Sequence, residues 1–300
     1  MHILITGATG LIGSHLCPLL LINHQLTVLS RSPDKANQLL GANILAVDSL
    51  ANVDFNTVDC VINLAGEPIV NKRWSDKQKQ QLLDSRIQLT HQISAAINQC
   101  NTPPHTFISG SAIGFYGRQD DTPIDESFTA INPEFSHQLC DAWEHAALSA
   151  QSTSTRVCTL RTGIVLAKQA GALAKMLPPF KLGLGGAIGS GEQGMSWIHI
   201  DDMVRLILFV LETKTLSGAV NATAPHPVSN KEFSRQLGKA LARPAFIPMP
   251  SLLLKLVMGE MADLLLYGQF VVPKKVLLQQ FSFTYPTLPQ ALKQLVNQSA

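Results

Sequence analysis

The sequence predicts an α/β protein with a doubly wound parallel sheet and a smaller C-terminal α/β lobe. Apolar strands alternate with helix-period stretches from residue 1 to about 165. A glycine turn joins the first strand to the first helix, and glycines and prolines loosen the alternation after residue 168. We therefore expect one domain over 1–167 and a lobe over 168–300, although later segments can return to the large sheet.

Three glycines at three-residue spacing follow the first strand, residues 2–5, and open a helix. This is the Rossmann-type dinucleotide-binding arrangement, in which Gly7 permits a tight turn, Gly10 lets the backbone approach a pyrophosphate and Gly13 lets the helix lie on the strand. The helix N-terminus offers free N–H groups to phosphates. The alternative is a purely structural turn. The candidate cofactor residues here are Gly7, Thr9, Gly10, Leu11, Ile12 and Gly13.

The remaining elements follow from apolar periodicity and from proline and glycine positions. Further strands are predicted at 26–30, 44–47, 59–64, 105–111 and 156–162, and helices at 33–40, 75–100 and 135–150. In the C-terminal half, Asp201 or Asp202 is expected to cap a helix that ends at Leu211, with Asp201 favoured over a ligand role for His199. An apolar stripe over 251–266 could serve a dimer but is more often core.

Composition indicates a well-packed globular protein, with 46% hydrophobic and 15% charged residues. The net charge of +2 and the lack of a basic run argue against nucleic-acid binding. Five cysteines without C-x-x-C pairs predict reduced, mostly buried thiols and no metal site. Charges interrupt the longest apolar stretch, 251–272, so no membrane span is expected. Because the chain starts directly on a strand, with no room for a signal peptide, we expect a cytoplasmic protein.

The end of the second strand indicates which dinucleotide binds. NAD enzymes usually carry an acidic residue there, whereas this chain reads Leu29-Ser30-Arg31-Ser32. Arg31 can pair bidentately with a 2′-phosphate, which a carboxylate would repel. A hydrogen bond to a charged group contributes roughly 1.5–3 kcal/mol, so we expect a ten- to hundredfold preference for NADP(H). The alternative is a solvated arginine at a strand end.

Several motifs together resemble the atypical, extended short-chain dehydrogenase/reductases, in particular the YfcH-like epimerase family with its C-terminal domain of unknown function. The resemblance runs from residue 1 to about 298. It rests on the stretches Asn63–Ile69, Arg73-Trp74, Ser109–Gly117, Trp143-Glu144, Arg161–Leu166, Gly183–Gly191 and Trp197–Asp202.

The resemblance implies a Rossmann domain that binds NADP(H), with the C-terminal lobe over the nicotinamide. It assigns Ser30 and Arg31 to the 2′-phosphate. Glu67 follows the cofactor-facing turn and either contacts ligand or is a solvated loop acid. The other cofactor contacts that it implies are Leu64, Ala65, Gly66, Gln81, Arg86 and Ile164.

The catalytic residues of the superfamily are only partly present. Its members use a Tyr general acid/base with a Lys four residues on, but no Tyr-x-x-x-Lys occurs in this chain. Aligning Trp143-Glu144 with the family helix puts Ser136 and Cys140 at those positions, and Cys140 is expected to be a buried small hydrophobe. Two candidates remain. Ser111 either meets a substrate or makes a strand-end hydrogen bond, and Tyr116 is an unassisted phenol with an ordinary pKa near 10.

Two function hypotheses follow. The first is an NADP(H)-dependent oxidoreductase or sugar-nucleotide epimerase-like enzyme that acts on an unknown small molecule. The second is a non-catalytic NADP(H)-binding sensor or regulatory module, which the missing Tyr-x-x-x-Lys favours. Either could be a monomer or a homodimer.

Overall fold

A seven-stranded parallel sheet organises the molecule in a computed structural model that describes residues 1–297. Its strands are β1 (His2–Thr6), β2 (Gln25–Leu29), β3 (Ile44–Val47), β4 (Cys60–Asn63), β5 (Thr106–Ala112), β6 (Arg156–Thr162) and β7 (Gly218–Ala222). Their order in the sheet is β3-β2-β1-β4-β5-β6-β7, and each neighbouring pair is parallel. This doubly wound sheet confirms the predicted fold class.

Helices cover both faces of the sheet, as buried parallel strands require. The helices are α1 (Leu11–Leu20), α2 (Pro33–Leu40), α3 (Asp76–Asn98), α4 (Phe135–Leu148), α5 (Gly171–Lys181), α6 (Ile200–Glu212), α7 (Asn230–Ala240), α8 (Ser251–Met258), α9 (Asp263–Leu266), α10 (Lys274–Leu278) and α11 (Leu288–Asn297). Leu16 of α1 and Leu206 of α6 belong to the core on one face of the sheet. Ile93 of α3 and Ala147 of α4 belong to the core on the other face.

The C-terminal half divides between the sheet and a small lobe. β7 pairs with β6 and α6 packs beneath the sheet, so the large sheet extends well past residue 167. The lobe has its own core, to which α5, α7 and α11 contribute. Three two-stranded pairs complete it: Ile164–Leu166 with Trp197–His199, Gly194–Met195 with Val228–Ser229, and Pro123–Ile124 with Phe270–Val271.

The cap of α6 differs from the prediction. His199 is the N-cap residue, and its Nδ1 accepts a hydrogen bond of 3.1 Å from the Asp201 N–H. Asp202 is fully buried and accepts backbone N–H groups of Thr284 and Tyr285, each at 2.8 Å. Capping by Asp201 or Asp202 was therefore wrong, because the preceding histidine takes that role and Asp202 joins α6 to the chain before α11.

Helix α8 is exposed rather than core. It contains no buried residue, and Leu252, Leu256 and Val257 are 79%, 73% and 64% exposed. Over residues 251–258 the interpretation of the apolar stripe as core is wrong, since this helix lies on the outside of the lobe. Further along the same stripe, Met261 and Ala262 are buried.

Four of the five thiols are buried and Cys100 is half-buried, which confirms the prediction that the thiols are mostly buried. Within residues 1–297, no helix is both long and apolar enough to cross a bilayer. In the same part of the chain, no group of three or more His, Cys, Asp and Glu side chains could hold a metal ion.

Candidate functional site

The glycine turn after β1 is built for close approach. Gly7 has φ +70°, and a Cβ there would lie 2.6 Å from the Leu64 carbonyl. A Cβ on Gly13 would lie 2.4 Å from the Gly7 oxygen, so α1 can rest on the turn only without a side chain at that position. The Gly10 N–H closes the turn on the Gly7 oxygen at 3.0 Å.

The N-terminus of α1 is open. Gly10 is the N-cap residue, no side chain caps the helix, and its first turn carries no acidic residue. The first N–H groups of a helix lack acceptors within it, and the dipole makes this end positive. Thr9 and Gly10 are exposed. The turn therefore presents unsatisfied donors to solvent and suits a phosphate group.

The end of β2 lies beside this turn, because Leu29 pairs with Thr6 in the sheet. Ser30 Oγ accepts the Ser32 N–H at 3.2 Å. Arg31 is exposed and makes no hydrogen bond or ion pair with any other residue in 1–297. An unpaired guanidinium thus lies at the strand end next to an open phosphate-binding turn.

The loop after β4 lies against the glycine turn and is held by hydrogen bonds with Thr6 and Arg86. Thr6 Oγ1 accepts the Ala65 N–H at 3.2 Å and donates to Asn63 Oδ1 at 2.6 Å. Arg86 donates to the Glu67 carbonyl at 2.9 Å, and burial lowers the pKa of its guanidinium. Arg86 thus supports the loop over 64–67, whereas Gln81 is exposed on α3.

A cavity of about 460 Å³ lies between the carboxyl ends of β5 and β6 and the chain segment 260–269. Ile12, Leu64, Ser111 and Ile164 are among its lining residues. In open α/β sheets, ligands bind outside the carboxyl ends of the strands. A more open depression of about 630 Å³ lies at the amino end of β1, around His2, and lacks that placement.

The two catalytic candidates have different surroundings. Ser111 lines the cavity, and its hydroxyl donates to Glu144 Oε1 at 2.7 Å. Tyr116 is fully buried and is absent from the described lining of the cavity. Its hydroxyl donates to Asn221 Oδ1 at 2.7 Å and accepts from Arg161 Nη1 at 3.1 Å, and burial raises its pKa. Nothing in the sequence indicated that Ser111 lines a cavity whereas Tyr116 is buried away from it.

Helix α4 contributes both residues that the resemblance aligns with the family's Tyr and Lys. Ser136 and Cys140 line the cavity. Ser136 Oγ donates to Glu134 Oε1 at 2.8 Å, and burial raises the pKa of the Cys140 thiol to about 12. Cys140 is therefore a neutral thiol at physiological pH.

Sequence reasoning missed one functional candidate, the buried pair of Glu144 and Arg161. Arg161 donates from Nε to Oε1 at 2.8 Å and from Nη2 to Oε2 at 2.9 Å. A signal was present for Arg161, which is the one charged residue in the strand sequence 157–162. Buried charges are kept when they are paired, as these are.

Comparison with known families identifies the family of this chain. Residues 3–222 match the NAD dependent epimerase/dehydratase family, and residues 249–295 match a domain of unknown function, DUF1731. The chain belongs to this epimerase/dehydratase family. The resemblance to YfcH-like, extended short-chain dehydrogenase/reductases is thereby confirmed.

Relatives match over nearly the whole chain. The epimerase family protein ML0860 of Mycobacterium leprae is 41% identical over 96% of this chain and 93% of its own length. The mouse epimerase family protein SDR39U1 is 38% identical over 99% and 100%. The human SDR39U1 structure, solved with NADPH, has a TM-score of 0.91 and 36% identity, and all of both chains is covered.

More distant solved structures share the fold. UDP-glucuronic acid 4-epimerase from Bacillus cereus, solved with UDP-glucuronic acid and NAD, has a TM-score of 0.77. It covers 98% of each chain at 22% identity. This likeness concerns architecture alone.

Proposed function

We propose that this protein is an NADP(H)-binding, epimerase-like short-chain dehydrogenase/reductase that acts on a small molecule held near Ser111. The observation that carries the proposal is the unpaired guanidinium of Arg31 beside the uncapped N-terminus of α1. The human relative solved with NADPH supports the same cofactor.

Each part of the proposed cofactor site has a physical role. The N–H groups at the start of α1, from Gly10 onward, bind the pyrophosphate. Arg31 pairs with the 2′-phosphate, and Ser30 offers a hydroxyl beside it. The further proposed contacts are Gly7, Thr9, Leu11, Ile12, Gly13, Leu64, Ala65, Gly66, Glu67, Gln81, Arg86 and Ile164.

The bound cofactor supplies or accepts a hydride at its nicotinamide. The role of Ser111 is to hold the oxygen of the substrate. The Ser111 hydroxyl donates its hydrogen bond to Glu144, so the Ser111 oxygen is left to accept a hydrogen bond from a substrate hydroxyl. Cys140 is a poor base because its thiol pKa is about 12. Tyr116 is committed to Asn221 and Arg161, so we assign it a structural role.

A second candidate function is a binding module that holds NADP(H) without turnover. The missing Tyr-x-x-x-Lys and the burial of Tyr116 favour it. In either case we place the protein in the cytoplasm, since its five free thiols suit a reducing compartment. Either function is compatible with a monomer or a homodimer.

The deciding experiment is calorimetric titration of dialysed protein with NADPH and with NADH. We expect NADPH to bind ten- to a hundredfold more tightly. Equal or absent binding would contradict the proposal. Stereospecifically labelled NADPH incubated with metabolite pools then separates the candidates, because an enzyme transfers the label and a binding module retains it.

A further inference from the structure

The charged side chains that line the cavity carry a net negative charge. Two guanidinium groups face three carboxylates, a formal charge of −1. They are Arg86, Arg118, Glu134, Glu260 and Asp263. Glu260 pairs with Lys79 at 2.5 Å from outside the lining.

Arg118 is held by two acids and an aromatic ring. Its Nε lies 2.8 Å from Glu134 Oε2, and its Nη2 lies 2.6 Å from Asp263 Oδ2. The guanidinium also stacks over Tyr267, 3.9 Å from the ring centroid. An incoming anion would have to displace carboxylates that already neutralise this arginine.

Arg86 is committed to the protein backbone. It donates to the carbonyls of Glu67 at 2.9 Å and Leu82 at 3.2 Å. Its guanidinium lies 5.2 Å from the centroid of the Trp143 ring. These contacts fix the loop after β4 and hold the Arg86 guanidinium against the protein backbone.

The rest of the wall is largely hydrocarbon. α4, α5 and α9 each contribute large apolar side chains, and the loop before α3 adds an indole. These residues are Trp74, Phe135, Leu139, Met176, Leu264 and Leu265. Walls of this kind, with a few placed polar groups such as the Ser111 hydroxyl, are typical of small-molecule sites, and here they offer mainly apolar contacts.

We infer that the substrate is an uncharged, largely apolar alcohol, and not a nucleoside diphosphate sugar. The inference rests on the proposed function for the placement of the substrate oxygen at Ser111. A diphosphate would bring two or more negative charges into a cavity of formal charge −1, in which Arg118 is already paired with two carboxylates and Arg86 is hydrogen-bonded to backbone carbonyls. Burying such a charge without a partner is unfavourable.

The test is a homologous series of 2-alkanols, from 2-butanol to 2-nonanol, titrated into the protein with and without saturating NADPH, which cannot oxidise an alcohol. Trp74 and Trp143 line the cavity, so their fluorescence reports binding. We expect affinity to rise about fourfold per added methylene until the cavity is filled. UDP-glucose and UDP-glucuronic acid should bind at least tenfold more weakly than 2-heptanol. A flat alkanol series, or tighter binding of either sugar nucleotide, overturns the inference.

A pair of variants at Met176 tests the wall itself. This half-buried side chain lines the cavity on α5, so we expect an exchange there to leave the lobe folded. Met176→Gln keeps the length but adds an amide and should weaken 2-nonanol at least tenfold. Met176→Leu should stay within about threefold of the parent. NADPH affinity should not change in either variant.

The proposed cofactor and the proposed substrate class can be contradicted independently of each other. A rising alkanol series without NADPH binding supports the apolar substrate class and contradicts the cofactor. Tight NADPH binding combined with preference for UDP-glucose keeps the cofactor and contradicts the apolar substrate class.

Discussion

The hydroxyl of Ser111 donates a 2.7 Å hydrogen bond to Glu144, which is itself clamped bidentately by Arg161. Glu144 and Arg161 are 4% and 6% exposed, so the pair lies in the protein interior. The third arm of the guanidinium reaches the Tyr116 hydroxyl at 3.1 Å. One buried carboxylate therefore fixes the orientation of the only sequence-predicted catalytic hydroxyl that lines the cavity.

Neutralising Glu144 should destabilise the fold. In Glu144→Gln the guanidinium of Arg161 keeps its burial and loses its counter-charge. Breaking a buried pair from one side costs about 3–5 kcal/mol of unfolding free energy. Urea unfolding followed by circular dichroism measures the loss.

The control for this variant is Glu232→Gln on α7. Glu232 pairs with Arg235 at 2.7 Å, but both side chains are exposed. Exposed pairs contribute about 0–1 kcal/mol, so this variant should unfold nearly as the parent does. Similar losses in the two variants would mean that the interior pair contributes no more than a surface one.

Removing the guanidinium at the end of β2 should change cofactor choice. Arg31→Ala is expected to weaken NADPH binding ten- to a hundredfold and to leave NADH nearly unchanged, because NADH lacks the 2′-phosphate. Calorimetry with both dinucleotides measures the difference. Arg235→Ala, which removes an exposed arginine from α7, is the control and should leave NADPH affinity unchanged. Parallel loss of NADH affinity in Arg31→Ala would point to disruption of the turn instead.

The sheet and the glycine turn could be predicted because their signals are local. Gly7, Gly10 and Gly13 lie within one turn and helix start, and apolar runs mark each strand. The buried hydrogen-bond network around Glu144, Arg161 and Tyr116 could not be predicted from local sequence signals. Tyr116 and Asn221 are 105 positions apart, and only the folded sheet brings them together.

Local rules also failed where a long-range partner competes. Asp202 has the sequence position of a helix cap, yet its carboxylate accepts the N–H groups of Thr284 and Tyr285. His199 caps the helix instead. Likewise, the periodicity of 251–258 predicts an apolar face but carries no information on whether another element covers it.

Exposure separates two leucines of the C-terminal lobe. Leu292 on α11 is fully buried, whereas Leu256 on α8 is 73% exposed. Leu292→Ala should cost about 2–5 kcal/mol of unfolding free energy through lost burial and a cavity. Leu256→Ala should change it by less than about 0.5 kcal/mol. Denaturation midpoints at two protein concentrations test both, and a concentration-dependent loss in Leu256→Ala would show that a second copy covers α8.

The carboxylate of Asp125 ties the loop after Ile124 to the start of α10, and its effect should depend on pH. The Lys274 ammonium donates to it at 2.6 Å, and together with hydrogen bonds from Ser127 this lowers the pKa of Asp125 to about 2. Because the unfolded-state pKa is about 3.9, the stabilisation is complete above that value and is lost as the pH falls through the folded-state value. Asp125→Asn should therefore cost about 0.5–1 kcal/mol at pH 6, an amount typical of a partly exposed pair. Parent and variant should converge toward pH 2 in urea unfolding. Asp121→Asn, at an exposed carboxylate without a partner in residues 1–297, should match the parent at pH 6, and a gap for Asp125→Asn that stays constant with pH would contradict the ionic contribution.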